Sequence, residues 1–117
     1  MNSASCFRNP AFSGYRSSMI TEIAQLTIDP ARAADFEAAV AQATPHFRAA
    51  EGCHGLSLER VIEDPARYRL VVQWETLEHH TVKFRNSEHF TAWRALAGPF
   101  FVSPPVVEHW NRVAVHF

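Results

Sequence analysis

Two strand-length stretches, Leu56 to Ile62 and Tyr68 to Trp74, are joined through the turn residues Glu63-Asp64-Pro65-Ala66. A link this short commits them to antiparallel neighbours, because a parallel pair needs a crossover of about a dozen residues or more. In the first stretch Leu56, Leu58 and Arg60 alternate with Ser57, Glu59 and Val61. In the second, Tyr68, Leu70, Val72 and Trp74 share one face against Arg69, Val71 and Gln73. This hairpin is the fixed point from which the rest of the chain is read.

Upstream, Ile20 to Ile28 (ITEIAQLTI) is rich in β-branched residues and predicts a strand. Asp29-Pro30 then offers an N-cap followed by proline at the first helical position. Phe36, Val40, Ala43 and Phe47 recur at helical spacing and predict an amphipathic helix. Pro45 removes a rung of its ladder, so a kink or stop is expected near Thr44. Gly52 and Gly55 mark the turn into the hairpin.

Downstream, Thr76 is a cap candidate for a short helix carrying Leu77, His80 and Phe84 on one face, with His79 turned towards Lys83 and solvent. Ser87 is a cap candidate for a second helix with Phe90, Trp93 and Ala97, ending at Gly98-Pro99. Val106 to Val115 predicts the last strand. The order β-α-β-β-α-β is the split-βαβ, ferredoxin-like α+β arrangement, a four-stranded antiparallel sheet with helices on one face. Its other face keeps apolar side chains, and a second copy packed sheet against sheet is the simplest cover, so a homodimer is expected.

Composition bounds the function. With 117 residues, 47% hydrophobic and 20% charged, the chain is expected to form one domain with one core. A formal net charge of −1 gives no basic footprint for nucleic acid. No apolar run approaches the roughly 18 residues of a spanning helix, so no membrane partner is expected. Cys6 and Cys53 make neither a disulfide framework nor a zinc knuckle, and reduced thiols fit a cytoplasmic protein. No Cys-x-x-Cys, His-x-x-x-His or glycine-rich phosphate loop is present, so no metal or nucleotide cofactor is expected. Residues 1–18, rich in Ser and Arg and without an acid, show no periodicity and read as a disordered extension before a domain at 19–117.

From Trp74 to Trp110 the chain reads WETLEHHTVKFRNSEHFTAWRALAGPFFVSPPVVEHW. This stretch resembles the antibiotic biosynthesis monooxygenase family of dimeric α+β-barrel proteins. The resemblance extends from Met19 to the C-terminus. It implies a ferredoxin-like subunit, a dimer, and a pocket between sheet and helices. It also implies cofactor-independent oxygenation, by molecular oxygen, of a small aromatic, phenolic or quinol compound.

Against that background His80 is the first catalytic candidate, an imidazole in an otherwise apolar stripe that can take a phenolic proton at neutral pH. Trp74 is the second, as a flat wall whose indole N–H could hold a substrate oxygen, or as a core anchor. Phe84, Phe90 and Trp93 are candidates for lining the substrate pocket, or for plain helix-to-sheet packing. His109, on the face of Val107 and Asn111, is either a second polar group in the pocket or a dimer contact. Glu22 and Arg69 are expected at a dimer seam or in solvent. A haem-degrading branch of the superfamily also pairs a strand Trp with a helical His, but it needs an Asn on the first strand, where this chain offers only Gln25. It also sets the His farther beyond the Trp, where this chain has Phe84. A dimeric protein that only binds a small hydrophobic ligand is the non-enzymatic alternative.

Overall fold

The computed structural model describes residues 19–117, and the expected extension at 1–18 lies outside the described residues. Strand β1 (Ile20–Thr27) leads through a 3-10 turn (Pro30–Arg32) into helix α1 (Ala33–Ala49). Strands β2 (Cys53–Arg60) and β3 (Arg67–Trp74) form the hairpin. A π-helical turn (His79–Phe84), helix α2 (Glu88–Ala97) and strand β4 (Val106–Trp110) complete the domain. The sheet order is β2-β3-β1-β4, antiparallel throughout, as the ferredoxin-like reading requires. No helix among the described residues is long and apolar enough to cross a membrane.

Local chemistry sets the element ends. Asp29 Oδ1 accepts the Ala31 N–H at 3.0 Å, and Pro30 needs no donor there. Ser87 Oγ accepts the Phe90 N–H at 3.4 Å and starts α2 as expected.

Pro45 does not end α1, which runs four residues further to Ala49. The proline lies on the exposed side, as does Ala41, whose carbonyl loses its donor, so water can take that place. Two turns of the helix carry Ala43 and Phe47 into the core, and Phe47 packs its ring 5.0 Å from Phe84 and 5.2 Å from Trp93. Burial of that ring is worth about 2–3 kcal/mol, comparable to the proline penalty of about 3 kcal/mol. Tertiary packing therefore overrides the local break.

Strand β4 is also shorter than the expected Val106 to Val115. Its ladder with β1 runs from Gln25↔Val106 to Thr21↔Trp110. Since β1 begins at Ile20, residues beyond Trp110 have no partner strand, and Val113, Val115 and Phe117 are exposed.

His79 does not point to solvent as expected. Its Nδ1 lies 2.7 Å from Thr76 Oγ1, and its Nε2 lies 3.6 Å from Glu51 Oε2. Its ring covers Gly52, which sits at φ 78°, where a Cβ would lie 2.3 Å from the ring. Gly52→Ala is therefore expected to lose about 1–2 kcal/mol from the left-handed backbone alone, and more from displacing His79. Gly55→Ala is the control, because its Cβ would meet only Gln73 side-chain atoms at 3.5 Å or more. Urea denaturation of both variants checks this, with the midpoint falling much further for Gly52→Ala than for Gly55→Ala.

Candidate functional site

Alternation along β1 puts Glu22, Ala24 and Leu26 on the helix-facing side, all buried, while Gln25 is exposed. In the ladder Glu22 stands directly opposite His109 of β4, and Trp74 pairs with Ile20, the next residue on the same face. Side chains directly opposite or diagonal on one face of a sheet are within reach of each other. The sheet thus gathers Glu22, Trp74 and His109 before any helix is added.

The segment after β3 lays His80 over them. Thr76 Oγ1 accepts the His79 N–H at 3.2 Å, and the turn then widens, with the Arg85 N–H reaching back five residues to the His80 carbonyl at 3.2 Å. Such π-turns are rare and concentrate at functional sites. The expected common face of Leu77, His80 and Phe84 is correspondingly broken. Leu77 is exposed, whereas His80 and Phe84 are buried.

The result is a chain of close polar contacts. The Trp74 Nε1–H donates to Glu22 Oε1 at 2.9 Å. His80 Nε2 lies 3.3 Å from the same oxygen, and His80 Nδ1 lies 2.8 Å from His109 Nε2. The Trp74 and His80 rings are stacked, with centroids 5.4 Å apart and planes 17° from parallel. Glu22 Oε2 has no hydrogen-bond partner among the described residues.

Burial governs the charges. It pushes the Glu22 carboxyl above the usual range, against the Trp74 hydrogen bond and the positive field of Arg85. It pushes His80 down to about 4, helped by the fields of Arg85 and His109. His109 is lowered by burial and then by Arg85. Both rings are therefore neutral at pH 7. With Glu22 ionised, the pattern is satisfied when His80 carries its proton on Nε2 and accepts the His109 Nε2–H at Nδ1. With Glu22 protonated, the Trp74 N–H still donates to the carboxyl, and only the two imidazoles exchange donor and acceptor roles.

This chain borders a cavity of about 930 Å³ between the sheet, α2 and the segment from Gly98 to Pro105. Four of the sequence candidates, His80, Phe84, Phe90 and Trp93, line it together with Glu22. Trp74 and His109 stand behind its wall. Trp74 is fully buried and its indole N–H is bound to Glu22, so it does not offer that N–H to a substrate. Glu22 is the residue sequence reasoning placed elsewhere, at a seam or in solvent. It is only 5% exposed, and its signal was present as a carboxylate on the apolar face of an alternating strand. Arg69, by contrast, is exposed and pairs with Glu59. Among the described residues no group of three or more His, Cys, Asp and Glu side chains is arranged to hold a metal ion.

Comparison with known proteins agrees with this architecture. The family model described as "Antibiotic biosynthesis monooxygenase" matches residues 19–96. A protein of Bacillus subtilis (strain 168), the uncharacterized protein YczJ, is 39% identical over 95 residues, covering 81% of this chain and all of its own length. A crystal structure from Bordetella bronchiseptica, named for the same monooxygenase family, is 54% identical and superposes with a TM-score of 0.81, covering 83% of this chain and 99% of that one. A second, from Caulobacter crescentus CB15 and named in the same way, is 25% identical with a TM-score of 0.72, covering 86% and 94%. Family model, sequence identity and superposition agree, and the chain belongs to the antibiotic biosynthesis monooxygenase family.

Proposed function

We propose that this protein is a monooxygenase for a small phenolic or quinol compound, working with neither a metal nor an organic cofactor. The observation that carries the reading is the buried Glu22–His80 pair opening on a cavity lined by Phe84, Phe90 and Trp93. Triplet oxygen does not react directly with closed-shell organic molecules, but a phenolate can give it one electron. Glu22 Oε2 takes the phenolic proton, since both nitrogens of His80 are already engaged. Glu22 keeps that proton at Oε2 until the hydroxide freed by O–O cleavage takes it as water, while His80, 3.3 Å from Oε1 and bound at Nδ1 by His109, holds the carboxyl in place. The phenoxyl radical and superoxide recombine to form a carbon–oxygen bond. The ring C–H proton leaves, the O–O bond breaks, and quinone and water are released. The aromatic walls orient the ring and exclude water from the radical pair.

The same reading includes a homodimer. The open face of the sheet exposes Val106 and Trp110, each 56% accessible, at an edge a second copy would cover. Light scattering is expected to give twice the monomer mass, and Trp110→Lys to shift it towards the monomer.

The deciding experiment is oxygen uptake with hydroquinones of one and two rings. Enzyme-dependent uptake that places one oxygen atom of labelled O2 in the quinone, with no hydrogen peroxide released, supports the proposal. Tight binding without uptake would leave a ligand-binding protein in its place.

A further inference from the structure

Among the described residues, the cavity lining holds one acidic side chain, Glu22 at its buried end, and two basic ones, Arg85 and Arg94. Arg85 follows the π-turn and Arg94 lies in the last turn of α2, and each sets its guanidinium carbon 5.8 Å from the centre of the Phe90 ring. Neither arginine forms an ion pair among the described residues. Arg85 is nonetheless felt inside, since its field acts on Glu22, His80 and His109 alike. The lining is therefore net positive when Glu22 is ionised, and more so once Glu22 has taken a proton.

We infer that the cavity is built for a hydroxyarene that also carries a carboxylate, held by Arg85 and Arg94 while its hydroxyl reaches Glu22. This rests on the oxygenase reading for the hydroxyl end and adds the charge at the other. Guanidinium forks match the two oxygens of a carboxylate, and a cleft with apolar walls strengthens that attraction over the same contact in water. Phe90, 5.8 Å from each guanidinium carbon, gives the ligand ring a surface to pack on while its ring holds the guanidiniums near. A neutral phenol would leave both cations unused.

The test is calorimetric titration of the full chain with 6-hydroxy-2-naphthoate and 6-hydroxy-2-naphthamide, which share shape and hydroxyl but differ in charge. The acid is expected to bind about tenfold more tightly at low ionic strength, with the margin shrinking in 0.5 M salt, a concentration at which charges are screened within about 4–5 Å. In the Arg85→Gln/Arg94→Gln double variant the two compounds should bind equally, with the amide unchanged. Retained amide binding also shows that the variant is folded. Equal binding in the unaltered protein, an acid preference that survives in the double variant, or no binding of either probe would overturn the inference. A preference for the acid without oxygen uptake on any hydroquinone would sink the oxygenase reading and leave this one standing. Uptake on hydroquinones without any preference for the charged probe would do the reverse.

Discussion

Glu22→Gln lowers hydroquinone turnover by at least about a hundredfold, the range expected when a general base is removed. The amide keeps the size of the carboxylate and still offers an oxygen to the Trp74 indole, so the cavity keeps its shape. What it loses is the ability to take a proton at Oε2. The effect should fall on kcat, with KM little changed, because the substrate still packs against Phe84, Phe90 and Trp93. His80→Ala should also cut kcat, through a different fault. It strips Glu22 of its imidazole neighbour and leaves His109 without its partner, so the carboxylate is no longer held in place. The two losses should not add in the double variant, since both act through the same carboxylate. Stopped-flow oxygen consumption on the single and double variants checks this. Full turnover in Glu22→Gln would remove the carboxylate from the reaction, and additive losses would break the chain into independent parts.

How much of this was visible in the sequence differs from one element to the next. The hairpin and the order of elements followed from period and turn chemistry, because each strand has one face buried and one face open. The Ser87 cap and the Gly98-Pro99 stop were legible for the same reason, being local. Pro45 misled because a local rule was outweighed by Phe47, whose partners Phe84 and Trp93 lie far away in sequence. The π-turn could not be read at all. No residue between Thr76 and Ser87 announces the extra width, yet that width separates Leu77 from the face of His80. Glu22 is the instructive case. Its neighbours Ile20, Ala24 and Leu26 already defined the buried face, so the strand's own period placed a carboxylate inside. What the sequence lacked was the partner that makes such burial tolerable, and Trp74 and His80 supply it from residues fifty or more positions away.

Acidification should unfold the protein through His80 more than through any surface pair. Its folded value of about 4 lies below the ordinary 6.5. Above pH 6.5 the ring is neutral in both states, and its contribution to stability is fully present. As pH falls towards 4 the unfolded chain takes up a proton that the folded ring refuses, which costs the fold about 3 kcal/mol. His109, lowered in the same direction, adds to the loss. Glu22 works the other way. Its raised value means that the folded state binds a proton first, so it regains stability over the same fall in pH and its penalty belongs to the alkaline side. The field of Arg85 disfavours a proton on either ring. Urea midpoints measured from pH 7 to pH 4 should therefore drop steeply in the unaltered protein. They should fall far less in His80→Gln, which keeps a hydrogen-bonding side chain but cannot titrate. In Glu22→Gln, where the compensating proton is gone, the drop should be steeper than in the unaltered protein. Parallel curves for all three would mean that the buried pair does not govern acid stability.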